Sequence, residues 1–267
     1  MLEVPRSTYY KSLTKSISNR DQENQQVTKR IVDIYNQSKK RYGAPKIHHI
    51  LQQEGYYVSL KRVQRLMKKV GIKSITVKKF RPMPSKEKVV ERENILQRDF
   101  STQTRNEKWV GDITYVHTLQ HGWCYLASVM DLHTKKIVGF SFDLHMTTAL
   151  ITKALQNAYH IQRPSKGLIF HSDLGSQYTS ESFQEILKHY GMRQSFSYKG
   201  SPYDNACIES FHAILKKEEV NHVQYVDENS ARMALFQYIE AWYNRERIHG
   251  SLDYKTPQKM EEQCTAS

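Results

Sequence analysis

LIFHSDLGSQYTS, residues 168–180, runs three apolar side chains into a carboxylate, Asp173, and then into a Gly/Ser loop. The apolar run predicts a short buried strand over 167–170, and the loop composition predicts that it ends there. An ionisable group at the end of a core strand needs compensation, because an unpaired buried carboxylate is costly. Two other acids stand in comparable settings, Asp112 in WVGDITY and Glu209 in DNACIESFH. Sixty residues separate Asp112 from Asp173, and 35 separate Asp173 from Glu209.

Beyond that strand, residues 180–190 read as a helix, 192–198 as a strand and 204 to about 219 as a helix that Asp204 can N-cap. Upstream, three β-rich segments at 109–118, 123–131 and 136–144 precede a helix at 148–161. Three consecutive strands followed by alternating helix and strand imply an α/β chain. Its sheet is mixed, built on an antiparallel meander with covered faces. A long helix over about 227–245 follows, with Met233, Phe236, Tyr238, Ile239 and Trp242 on its apolar side.

Asp112 alternates with Val110, Thr114 and Val116, so it shares their face of the strand. In the helix after Asp204, Ile208, Phe211 and Leu215 take the core face and leave Glu209 at its edge. Three gathered carboxylates repel one another unless cations neutralise them, and hard oxygen donors of this kind suit Mg²⁺ or Mn²⁺. Two such ions roughly 3.5–4 Å apart are the arrangement used for in-line displacement at phosphorus. Lys216, two helical turns beyond Glu209, is placed to hold a nucleic-acid phosphate. Any one of these acids alone is an ordinary cap, turn or ion-pair residue; the case rests on the three together. Ser172, His171 and Asp173 lack a GxSxG elbow, which discounts a hydrolytic triad. His117, His121 and His133 lack HExxH spacing, which discounts zinc.

The 267-residue chain carries a formal charge of +13, and the excess is localised. Residues 1–98 hold 23 Lys and Arg against 8 Asp and Glu, whereas residues 99–267 hold 17 against 19. A polyanion-binding module attached to a nearly neutral body fits that division. Residues 1–26 show little periodicity. Val27, Ile31, Ile34 and Tyr35 then mark one helix face; Pro45, Ile47, Ile50, Leu51 and Gly55 mark a second helix; Ser59, Val63, Leu66, Met67, Val70 and Gly71 mark a third. Lys61, Arg62, Arg65, Lys68 and Lys69 cover the remaining faces of the third helix. A lone basic run is usually a solvated face. Three short helices ahead of a candidate nucleic-acid enzyme shift the reading to a helix-turn-helix-like DNA contact. Residues 74–105 read as a basic linker, tracking a nucleic-acid backbone or serving as a spacer.

Cys124, Cys207 and Cys264 are far apart and form no CxxC pair, so neither a zinc knuckle nor a disulfide framework is supported. No apolar run approaches the ~20 residues of a membrane span, and no signal peptide opens the chain. A soluble, cytoplasmic protein is expected. No GxxxxGK loop is present, so ATP is not expected to drive the chemistry.

With these residues in place, the sequence resembles the transposases of the insertion sequence three family, second reading frame. The resemblance rests on WVGDITY, DLHTKKIVGF, HSDLGSQYTS, SYKGSPYDNACIESFHAILKKE and YNRERIHGSLDYKTP, with YGAPKIHHIL through LMKKVGI matching a helix-turn-helix-like segment. It implies a ribonuclease H-like fold: a mixed five-stranded sheet with flanking helices, preceded by a small all-α domain. It further implies a retroviral-integrase-like metal site of Asp112, Asp173 and Glu209, with Lys216 as the basic residue that follows. Residues then divide as extension (1–26), helix-turn-helix-like module (27–73), linker (74–105), catalytic core (106–225) and C-terminal helix and tail (226–267). The implied activity is cleavage of insertion-sequence ends in double-stranded DNA and joining of the 3′-hydroxyl to target DNA, by a homo-oligomer at the bacterial nucleoid. MLEVPRSTYYKSL resembles the seam at which an upstream frame is fused by frameshifting, which implies a partner protein or fusion. Gly111 and Leu174 stand where the family leads one to expect Thr and Gln. The alternative reading is a DNA-binding regulator of transposition that does not catalyse.

Overall fold

The computed structural model describes residues 18–76, 93–198 and 203–266. The seam-like opening and most of the predicted linker lie outside them. The chain forms two compact units, residues 1–76 and 77–267.

The first unit is a three-helix array: α1 (Asn19–Gln37), α2 (Ala44–Gln53) and α3 (Leu60–Lys69). Its core is the predicted set of stripes, with Val27, Ile31, Ile34, Ile47, Leu51, Val63, Leu66 and Met67 all buried. Ser59 Oγ caps α3 by accepting from Arg62 N–H, and Gly55 and Gly71 adopt positive φ where helices stop. One boundary differs. α1 starts at Asn19, capped by Ser18, eight residues before its apolar stripe begins. Its first turns are held by polar contacts instead: Arg62 on α3 donates to Asn24 Oδ1 at 2.9 Å and to Glu23 Oε1 at 3.0 Å. Apolar periodicity cannot register such a packing.

In the second unit β1 (Lys108–Thr118), β2 (Gly122–Asp131) and β3 (Ile137–Asp143) form the meander. They are followed by α4 (Thr148–Gln162), β4 (Ile169–Ser172), α5 (Glu181–His189), β5 (Arg193–Phe196) and α6 (Ala206–Glu218). The sheet order is β3-β2-β1-β4-β5, antiparallel on the β3 side and parallel from β1 to β5, the ribonuclease H-like arrangement. On one face Val110, Val116, Leu126 and Met130 pack against Ile208, Phe211 and Leu215 of α6. On the other, Trp109, Val129 and Phe170 pack against α4 and α5. Each fully buried side chain of this size contributes roughly 1.5–3 kcal/mol relative to exposure, so the two faces together hold the layers. β4 pairs with β1 only over Lys108–Val110, so from Gly111 onward β1 runs past its parallel neighbour and leaves that edge open.

Three expectations are corrected. The end of the predicted linker is part of the body: Leu96 is 2% exposed in the core, and Asn94 and Arg98 both donate to Asp204, at 3.1 and 2.6 Å. Asp204 is therefore engaged by those two side chains and by Tyr198 N–H, and the helix cap position falls to Asn205. Finally, the long C-terminal helix changes pitch. α7 (Glu228–Phe236) passes into a π-helix, Gln237–Tyr243. Ala231, Leu235, Tyr238, Ile239 and Tyr243 form the buried side at ordinary helical spacing, and Met233 and Phe236, which precede the π-turn, face away from it and are 59% and 51% exposed. Just beyond it, Asn244 forms two 3.0 Å hydrogen bonds with the backbone of Ile137, where the β2–β3 register shifts. A final helix, α8, spans Pro257–Ala266. Among the described residues no helix is long and apolar enough to cross a membrane.

Candidate active site

The open edge of β1, the C-terminal end of β4 and the first turn of α6 supply Asp112, Asp173 and Glu209 respectively. Asp112 sits opposite Ser128 on β2; its Oδ1 accepts from Ile113 N–H at 2.8 Å, and its Oδ2 lies 3.2 Å from His212 Nδ1. Asp173 is the first residue past β4, and its Oδ1 accepts from Gly175 N–H at 3.1 Å. A Cβ at position 175 would stand 3.0 Å from that same oxygen, so glycine lets the loop fold close over the carboxylate. Glu209 projects from α6 beside buried Ile208 and Phe211 and is solvent-facing, at the helix end where the backbone dipole favours a negative charge.

Electrostatics couple the three. Although Asp173 reaches solvent, protein crowds it on most sides; that desolvation, then the charge of Asp112, pushes its carboxyl up to about 6. Glu209, although solvent-facing, is raised first by the protein crowded against one side of its carboxyl and then by Asp112 and Asp173. Buried Tyr178, from the same Gly/Ser loop, is raised by burial and then by the same two aspartates. Asp173 thus stands in the field of Asp112, and Glu209 in the field of both aspartates. As they stand, no group of three His, Cys, Asp or Glu side chains among the described residues is drawn together tightly enough to hold one ion. The donor set of the three acids, carboxylates only, fits a hard divalent cation rather than zinc.

Lys216 is half-buried on α6, with its Nζ 3.7 Å from the centroid of the Tyr115 ring. Burial lowers its pKa, and the acid that offsets this is Asp112. In the first unit, Lys61, Arg65, Lys68 and Lys69 are exposed, while Arg62 is turned inward onto α1. His171, discounted above as a catalytic base, is fully buried between Ser195 Oγ and Ser197 Oγ, at 2.9 and 3.0 Å. Burial holds it down to about 4, so it is a neutral structural imidazole at physiological pH. His133 bonds Thr102, and His117 packs edge-on against Trp123.

Two neighbours of the acids carry no clear signal in the sequence. His212 reads as one more histidine on a helix, although its place one turn after Glu209 puts it beside the acids. Asn205 donates to the carbonyl of Gly111 at 3.1 Å and so ties the start of α6 to the residue before Asp112.

Comparison with known proteins decides the family. A family described as integrase core domain matches residues 103–202, a second so described matches 190–257, and an HTH-like domain matches 22–80. The chain is 36% identical over 264 residues to the transposase InsF for insertion sequence IS3A of Escherichia coli (strain K12), spanning 98% of this chain and 91% of that one. It is also 36% identical over 236 residues to the transposase for insertion sequence element IS904 of Lactococcus lactis subsp. lactis (strain IL1403), spanning 88% and 93%. The chain belongs to the insertion sequence three family of transposases. As a member it is a DNA transposase, a metal-dependent enzyme that cleaves and joins DNA strands. Among solved structures, the transposase is similar to the HTLV-2 integrase catalytic core domain in complex with magnesium (trimeric form), at 18% identity and a TM-score of 0.46, over 59% of this chain and 97% of that one. The two integrase-core matches of the transposase together take in all three acids, and its HTH-like match takes in the basic third helix.

Proposed function

We propose that Asp112, Asp173 and Glu209 are the metal-holding carboxylates of this transposase, with Mg²⁺ or Mn²⁺ as the ion, and that they cleave insertion-sequence ends and join the freed 3′-hydroxyl to target DNA. The observation that carries this reading is the placement of Asp112 on β1, Asp173 just past β4 and Glu209 on α6 at the open edge of β1, close enough that Asp112 acts on Asp173 and both aspartates act on Glu209. Bound divalent ions supply activation of the attacking oxygen and charge stabilisation of the leaving oxygen. The chain's own residues do the rest. β1 and β4, both anchored in the core, set the two aspartates, while α6 carries Glu209 to them. Lys216, beside Asp112, orients a backbone phosphate, and the exposed basic residues of α3, Lys61, Arg65, Lys68 and Lys69, hold duplex DNA through its phosphates. DNA ends and target are brought together by a homo-oligomer, with an upstream-frame protein or fusion contributing end recognition.

Incubating the full chain with supercoiled DNA and with duplexes carrying the element's ends tests the reading. Asp112→Asn, Asp173→Asn and Glu209→Gln should each abolish nicking and joining with Mg²⁺ while leaving DNA binding intact. Normal joining by any of the three variants would overturn the assignment of that residue.

A further inference from the structure

One turn after Glu209, His212 is 6% exposed and stands between two elements. Its Nδ1 lies 3.2 Å from Asp112 Oδ2, and its Nε2 lies 3.3 Å from Ser128 Oγ. Ser128 is the residue directly across the β1–β2 ladder from Asp112 and is itself 1% exposed. One neutral tautomer satisfies every group: Nδ1–H donates to the carboxylate, and Nε2 accepts from the serine hydroxyl. The order Ser–His–Asp is that of a hydrolase triad, but a serine this deeply buried cannot meet a substrate. The array therefore works in the other direction, from the sheet floor toward the aspartate.

We propose that His212, braced by Ser128, is a positioning residue that fixes the plane of the Asp112 carboxylate and the distance between the strand that carries Asp112 and the helix that carries Glu209. The inference rests on the metal-site reading above and deepens it. With Oδ1 engaged by Ile113 N–H and Oδ2 by His212, rotation of the Asp112 carboxylate breaks at least one bond. The same imidazole is part of α6, so moving the helix moves the tether. Asn205 provides a second tie on the same side, from the start of α6 to Gly111 O. Partners of this kind, which hold a metal-binding carboxylate without touching the ion, typically change metal affinity by about 10–100-fold when removed.

The test is Mn²⁺ binding to the full chain without DNA, read by electron paramagnetic resonance of the free ion, with thermal unfolding measured on the same samples. Asp112→Asn is the reference and should lose binding. His212→Ala should weaken Mn²⁺ binding about 10–100-fold, Ser128→Ala should weaken it less, and His212→Asn, which keeps an N–H donor, should recover part of the loss. Affinity unchanged within about twofold in both His212→Ala and Ser128→Ala, with Asp112→Asn defective, would overturn the role of His212 and leave the site standing. Wild-type binding by Asp112→Asn would overturn the site, and the tether with it. Should His212→Ala fail to fold, Ser128→Ala, which removes one hydroxyl from the same array, decides alone.

Discussion

Arg247 Nη2 donates to Glu218 Oε1 at 2.9 Å, with the two side chains 9% and 3% exposed. Arg247 Nε also bonds Glu218, and Tyr238 Oη and Trp242 Nε1 donate to its Oε2, at 3.0 and 3.1 Å. Glu218 is the last residue of α6, and Arg247 belongs to YNRERIH. The C-terminal motif is thereby a clamp on the helix that carries Glu209 and His212. Tyr238 and Trp242, four residues apart on one side of that C-terminal helix, serve the same end by donating to one carboxylate oxygen.

Arg247→Ala should destabilise the body by about 3–5 kcal/mol, because it leaves a buried, desolvated glutamate without its cation. Replacing both partners, as in Glu218→Gln with Arg247→Met, should cost less than Arg247→Ala alone, since no unpaired charge remains. Urea unfolding of the full chain measures both. Equal costs would mean that the pair is solvated and that the clamp is packing alone.

Gly111 precedes Asp112, and a Cβ there would lie 2.6 Å from Cζ of the buried Phe170 ring. This explains why Gly stands where the family resemblance leads one to expect Thr: the phenyl ring fills the space a side chain would use. Gly111→Thr should cost about 1–3 kcal/mol by overpacking, and more in activity than in folding, since the displaced backbone carries Asp112. Phe170→Leu should recover part of the loss in the double variant. Additive unfolding energies would show that the two positions do not share the space.

The sheet is readable in the sequence because period-two alternation and Gly/Ser-bounded apolar runs follow directly from pleat and burial. Asp112, Asp173 and Glu209 are conspicuous for the same reason, each being an acid set in a stretch otherwise bound for the core. What escapes a reading of the sequence is the pairing of polar groups far apart along the chain. Nothing local joins Glu218 to Arg247, Asp204 to Arg98, or His212 to Ser128, and charged stretches such as 93–100 hide single anchors like Leu96. The π-helix escapes because apolar residues follow one another so densely over 233–243 that more than one helical face can be drawn through them, and the buried one runs through Ala231, Leu235, Tyr238 and Ile239 and leaves out Met233 and Phe236.

Lys108 Nζ, almost buried, donates to the carboxylate and carbonyl of Asp99 and to the carbonyl of Ser101 at 2.8–2.9 Å. The Lys108 hydrogen bond, followed by those from Ser101, lowers the Asp99 carboxyl from 3.8 to about 2. A depressed folded-state pKa means that the contribution to stability is whole above the unfolded value and is lost as pH falls through the folded one. The difference in thermal midpoint between wild type and Asp99→Asn should therefore be constant from neutral pH to about 4 and shrink as pH falls toward about 2. As Asp99 faces solvent, the difference should also shrink with added salt. A difference that grows on acidification would contradict the sign.

The basic third helix supports a distinction among residues that look equivalent in sequence. Lys61, Arg65, Lys68 and Lys69 are exposed, whereas Arg62 is spent on Glu23 and Asn24 of α1. Removing one phosphate-binding cation flattens the dependence of log affinity on log salt by about one unit, because one fewer counterion is released when DNA binds. Lys61→Ala and Arg65→Ala should therefore each flatten the slope while leaving unfolding of the full chain unchanged. Arg62→Ala should do the reverse, lowering the stability of the first unit through the loss of its tie to α1 and leaving the slope near that of wild type. Fluorescence anisotropy on duplex DNA from low to moderate salt, paired with thermal melts, separates the two classes. If Arg62→Ala flattened the slope as Lys61→Ala does, Arg62 would have to leave Glu23 to meet a phosphate, and its inward bond would be a state of the unbound protein only.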